Sequence, residues 1–161
     1  MATNALLGDY LGDHLAGSAA GRDLARKLAD DNQGTALGAF MEELCAEIEA
    51  DRETLEEVMD RLELERQSWK QAGTWMAEKL SRVRFSRALT RSAQLSQLFE
   101  LETLSMGIHG KVSLWEALRH VAGTDARLVG IDLDALAKRA QRQLERLELR
   151  RLAAAVEAFA A

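Results

Sequence analysis

The chain has 161 residues, of which 47% are hydrophobic, 29% charged and 5% aromatic, with one cysteine, no proline and a net charge of −5. That length suits a single domain with a substantial core, and the composition excludes a wholly disordered chain. With Cys45 as the lone cysteine, an intramolecular disulfide and a cysteine-rich zinc site are excluded as well.

Ala, Leu, Glu and Arg dominate. These are strong helix formers, so the expected class is all-α. The opening MATNALLGDY has no basic segment and no long apolar run, so no secretory signal is expected. No stretch approaches the roughly 20 apolar residues of a membrane helix, and a cytoplasmic protein without membrane contact is the expectation. Residues 1–66 hold 16 acids and 6 bases, a net of −10, whereas residues 67–161 hold 10 acids and 15 bases, a net of +5. An acidic half packed against a basic half, within one chain or between two, accounts for such an asymmetry.

The first predicted helix covers about residues 4–31, capped by Thr3 or Asn4 and ended by the DNQG that follows Asp30. Its apolar seam reads Leu7, Tyr10, His14, Gly17, Gly21, Leu24, Leu28, which puts His14 along the buried stripe. Gly8, Gly12, Gly17 and Gly21 lie inside it, each at about 0.8–1.0 kcal/mol less favourable than Ala. Three readings compensate that cost: close approach of a neighbouring helix, space for a tryptophan, or space beside His14 for a metal, water or small ligand.

The second helix, about residues 36–63, is capped by Thr35 and has the clearest pattern in the chain. Leu37, Met41, Leu44, Ile48, Leu55, Val58 and Leu62 recur at spacings of three and four with one member missing. The missing position is Asp51, with Glu47 one turn earlier. Glu42, Glu49, Glu53, Glu56, Glu57 and Asp60 form the solvated face.

A shorter helix is expected over 67–83, with Trp69, Trp75, Met76 and Leu80 as its apolar contacts. The basic group Lys79, Arg82, Arg84, Arg87 and Arg91 has no helix-turn-helix or interleaved aromatics, so it reads as a solvated loop or a partner for the acidic helix rather than a nucleic-acid site. The next helix covers about 94–122, with Leu98, Leu101, Leu104, Ile108, Val112, Trp115 and Leu118 as its apolar face. Glu102 and His109 share a strip beside that face, about 10 Å apart along the axis; Gly107 and Gly110 flank His109, and His120 reads as a surface residue. The last helix, about 132–160, is capped by Asp132. Leu133, Leu136, Ala140, Leu144, Leu147, Ala154 and Val156 give it an apolar side, with Gln143 at its edge and Arg139, Arg142 and Arg146 on a charged face.

Four long amphipathic helices with a helical crossover between the second and third predict an antiparallel four-helix bundle. If the crossover returns the chain to its starting end, His14, Asp51, His109 and Gln143 fall within about 5 Å of mid-height at 1.5 Å rise per residue. In that plan the chain resembles the ferritin-like superfamily, over nearly its whole length and at the level of fold, and bacterial members of this general shape. The resemblance implies a four-helix bundle with one long crossover; in di-iron members a Glu from each of two helices and a Glu-x-x-His pair from each of the other two hold the metals. Those pairs are missing: Glu47 is followed three residues on by Ala50, Glu102 by Ser105, and the last helix has no histidine. His14, Glu47, Asp51, Glu102, His109 and Gln143 remain as a candidate polar layer. It reads as a self-satisfied network with His14 bonded to a carboxylate, as a site for one divalent metal, or as a site for another ligand. The expected function is a non-enzymatic structural or interaction bundle, without a di-iron centre and associating as a homodimer; the rival is a mononuclear metal-binding protein.

Overall fold

The computed structural model describes residues 2–64, 92–122 and 125–160. They form a helical bundle of four long α-helices: α1 (Ala2–Asp31), α2 (Ala36–Arg61), α3 (Ala93–Ala122) and α4 (Leu133–Phe159), with a 3-10 turn at Ala126–Leu128 and no strand among the described residues. The helix expected over 67–83, its tryptophans Trp69 and Trp75, and the basic group from Lys79 to Arg91 lie outside the described residues.

Local chemistry sets most helix ends. Thr35 has extended backbone, and its hydroxyl accepts from the Gly38 amide at 3.1 Å, satisfying one of the free donors of the first turn of α2. Asp132 does the same for α4 through the Ala135 amide at 2.9 Å. α1 starts at Ala2, ahead of Thr3 and Asn4, so neither is its cap. Between α1 and α2 the Asn32 side chain donates to the Leu28 carbonyl at 2.8 Å, and Gly34 takes φ +78°, a region open to glycine without steric cost. Gly38 is fixed by a closer approach. A Cβ there would lie 2.2 Å from the Asn32 carbonyl oxygen, so this hairpin closes only without a side chain at that position.

α1 packs on α2 and α3, α3 packs most extensively on α4, and α2 also meets α4. The buried apolar side chains fall into two clusters. One joins Leu11 and Leu15 of α1, Leu55, Val58, Met59 and Leu62 around α2, Leu114, Trp115 and Leu118 of α3, and Leu133, Leu136 and Ala140 of α4. The other joins Ala25 and Leu28, Phe40 to Ile48, Leu98 to Ile108, and Leu144, Leu147 and Ala154. Between the clusters stand Asp51 on α2, Lys111 on α3 and Gln143 on α4.

The buried stripe of α1 differs from its expected one. Leu11, Leu15, Ala25, Leu28 and Ala29 are buried, while Tyr10 is exposed and Leu7 and His14 only half-buried. Both stripes obey helical spacing, because alanine and leucine are dense enough in this segment to support two phases about 70° apart. Four of the helix glycines are likewise less constrained than close helix approach requires. A Cβ on Gly21 or Gly110 would make an ordinary 3.9 Å contact, to Leu104 and His14 respectively, and one on Gly17 or Gly107 would meet nothing within 4 Å.

Two substitutions therefore diverge. Gly107→Ala adds helix propensity without a clash and is expected to stabilise by about 0.5–1 kcal/mol. Gly38→Ala drives a methyl into the Asn32 carbonyl and is expected to destabilise by about 2 kcal/mol or more. Urea denaturation of the two variants checks both signs.

Candidate functional site

Asp51 is 3% exposed, one of three buried polar residues among the described ones, beside Ser105 and Gln143. An unpaired carboxylate at such a position would take up a proton or unfold its surroundings. Asp51 is instead enclosed by donors from two other helices. From α3, the Lys111 ammonium donates to Asp51 Oδ2 at 2.6 Å. From α4, the Arg139 guanidinium donates to Oδ1 and the Gln143 amide donates to Oδ2 at 3.3 Å. Gln143 Oε1 in turn accepts from Lys111. That contact fixes the amide orientation, since the reversed amide would press NH2 against an ammonium group. Lys111 and Arg139 are 13% and 33% exposed, so the layer is driest at Asp51 and opens towards solvent along Arg139. A groove of about 370 Å³ beside Arg139 is lined by Thr54, Glu57, Ile131, Asp132 and Arg142 among others.

One turn away on α2, Glu47 accepts from Arg146 at 3.2 Å, and Arg146 also reaches Glu43 at 2.5 Å. Its guanidinium carbon stands 5.0 Å from the Phe40 ring centroid, and Arg150 stacks on the same ring at 5.4 Å. The charges of Asp51, Glu47 and Glu43 thus match those of Lys111, Arg139 and Arg146. Burial holds the Lys111 ammonium below the usual lysine range; Asp51 opposes that by charge and hydrogen bond, Arg139 reinforces it, and Glu47 opposes it.

Of the six candidates from the sequence, the structure brings Asp51 and Gln143 into direct contact and puts Glu47 on the adjoining turn. The other three lie elsewhere. His14 sits at the edge of the α1 stripe, its ring edge-on to Tyr10 with centroids 4.7 Å apart and near Gly110. His109 is exposed, and half-buried Glu102 is paired with Arg151 at 3.6 Å. The α3 core arc runs through Leu101, Leu104, Ile108, Lys111 and Trp115, so Glu102 and His109 are turned more than 100° from its centre. Asp51 is accordingly paired with Lys111 and Arg139 rather than with His14. Among the described residues, no three His, Cys, Asp or Glu side chains converge as metal ligands would. The donor chemistry agrees, because a divalent ion at Asp51 would have to displace two cations already there.

No family model, curated protein or solved structure matches the chain. Among the described residues, no helix is long and apolar enough to cross a membrane.

Removing only the acid leaves Lys111 and Arg139 without their partner. Asp51→Ala is expected to destabilise by about 3–5 kcal/mol, the range for breaking a buried ion pair. The double variant Asp51→Leu with Lys111→Met removes both charges and fills the space, so its urea midpoint should lie well above that of Asp51→Ala. Equal midpoints would show that the pair is not coupled.

His14 gives a pH signature of its own. Burial holds its imidazole below the ordinary value of 6.5, with Asp13 partly opposing. The unfolded chain therefore binds a proton more readily than the folded one. The contribution is fully present above pH 6.5 and is lost as pH falls through the lower folded value. A His14→Phe variant should flatten this part of the stability profile between pH 7 and 5, measured by urea titration at each pH.

Proposed function

We propose that this chain is a non-enzymatic, cytoplasmic helical bundle of ferritin-like arrangement, without a di-iron centre, whose role is structural or interactive through association of two copies. Paired contacts support the arrangement. Between α1 and α3, Lys27 bonds Glu100 while Gly21 faces Leu104 and His14 faces Gly110; partner numbers fall on one helix as they rise on the other, as in antiparallel neighbours. The same trend joins α3 to α4, through Arg119–Asp134, Lys111–Gln143 and Arg151–Glu102. It also joins α2 to α4, through Asp51–Arg139 and Glu43–Arg146. Helices α2 and α3 then run parallel, the relation that the second and third helices have in ferritin-like folds.

One observation carries the functional reading: both oxygens of Asp51 are occupied by donors of the protein itself. A site built for substrate or metal keeps a coordination position or an unpaired group for it; here the mid-height carboxylate has three protein partners. The single-metal alternative needs His14, Glu102 and His109 beside Asp51, and these side chains face other neighbours.

Untagged protein should emerge from purification without stoichiometric Fe, Mn or Zn by inductively coupled plasma mass spectrometry, and light scattering should give twice the chain mass. Stoichiometric metal that is lost in both Asp51→Ala and His14→Ala would overturn the structural reading in favour of the metal-binding one.

A further inference from the structure

α1 is attached to the bundle at two places and hardly at all between them. Leu11 and Leu15 are buried in one cluster, Ala25, Leu28 and Ala29 in the other. From Ala16 to Leu24 no residue is buried, a run of nine. On α2, by contrast, a buried residue recurs at least every fourth position from Gly38 to Met59.

The two attachments are unequal. In the C-terminal part, Arg22 pairs with Glu49 of α2 at 3.1 Å and Lys27 with Glu100 of α3 at 2.9 Å. The hairpin closed through Asn32 and Gly38 ties that end to α2 as well. Among the described residues, no side chain of Ala5–Gly21 is hydrogen-bonded or ion-paired to another helix. Ser18 bonds the Leu15 carbonyl of α1 itself, and the His14 ring meets Tyr10 of the same helix.

The N-terminal part is also weak as a helix. Gly8, Gly12, Gly17 and Gly21 each favour a helix less than alanine does. Released from the bundle, Ala2–Leu15 falls in the range of about 12–15 residues below which an isolated helix is marginal in water. The seat it covers adds a further term. The cluster that receives Leu11 and Leu15 holds Leu55 and Met59 of α2 and Leu118 and Trp115 of α3. Trp115 is 1% exposed, and its indole N–H is buried without a hydrogen-bond partner. Such a donor is destabilising while covered and is satisfied by water once uncovered. Closure of α1 over this seat is therefore less favourable than the apolar area alone implies.

We propose that the N-terminal part of α1, Ala2–Gly21, is a strap that opens as a unit while the rest of the bundle stays packed, uncovering the apolar seat around Trp115. The run from Ala16 to Gly21, small throughout and nowhere buried, is its hinge.

Native-state hydrogen exchange of the full chain, followed group by group by NMR, tests it. Relative to their intrinsic rates, the amides of residues 7–15 and the Trp115 indole N–H are expected to exchange together. They should do so at least ~100-fold faster than the amides of Leu101–Leu104 in α3, and with a weaker urea dependence. Protection of 7–15 equal to that of Leu101–Leu104 overturns the proposal. So does a graded rise in rate towards Ala2 with Trp115 still protected, which is fraying rather than a unit. A variant in the other cluster separates local from global opening. Leu147→Ala is expected to speed exchange at Leu101–Leu104 by ~30-fold or more and to leave residues 7–15 unchanged. Should that variant not fold, Ile48→Val gives the same contrast at about 2–10-fold. Equal acceleration of both groups means that α1 opens only with the whole bundle, and the strap is ruled out.

Discussion

The structure depends on the charge of Asp51 being matched away from water. Moving a carboxylate out of water costs several kcal/mol even after relaxation, and Coulomb attraction offsets this only when geometry is close and the remaining lone pairs are satisfied. Lys111, Arg139 and Gln143 meet both conditions from α3 and α4. Their geometry also fixes the relative height of three helices. Sliding α4 by one turn, about 5.4 Å, would carry Arg139 and Gln143 out of reach of Asp51 together. An all-leucine layer would tolerate such a slip far better, since apolar contacts are not directional. The layer is thus a registry device whose cost is met by the two apolar clusters on either side of it.

α1 relates to this layer differently from the other helices. In the gap between the two apolar clusters it carries Ala16 to Gly21, all small residues and none charged. Its binding to the bundle comes from Leu11 and Leu15 in one cluster and Ala25 and Leu28 in the other. Peripheral ion pairs such as Lys27–Glu100 and Arg22–Glu49 join it to α3 and α2; being half-exposed, they add little stability. Register of α1 is set instead by its short connection to α2, where Asn32, Gly34, Thr35 and Gly38 leave one way to turn.

Heights along the helices were legible in the sequence, and azimuths less so. Asp51 broke an otherwise unbroken seam, and a rise of 1.5 Å per residue put Gln143 level with it; both lie in the layer. His14 and His109 were level too, but height says nothing about which way a side chain faces. Lys111 did leave a trace: Leu101, Leu104, Ile108, Lys111, Trp115 and Leu118 alternate three and four without a gap. Val112 masked it by offering an apolar residue one position on, and a lysine on such a seam ordinarily reads as a stem lying on the surface with its ammonium in water. Arg139 was less legible still. Its place is on the flank of α4, and only its length brings the guanidinium to Asp51.

Lys111 also accounts for the charge balance at mid-height. Carboxylates in the middle of a bundle repel one another and oppose folding unless positive charge is brought to them, and metal ions are one way to supply it. Here the positive charge is covalent. The ammonium of Lys111 stands against Asp51 with Arg139 on the other oxygen, and Arg146 serves Glu47 and Glu43 one turn on. The pairing of Asp51 is made as soon as the helices pack. Each oxygen of Asp51 has a protein donor, while Glu47 Oε2 and Arg139 Nε are buried without a hydrogen-bond partner. Among the described residues, a large apolar surface that the core does not use is the outer strip of α4, where Leu149, Leu152, Val156 and Phe159 stand exposed.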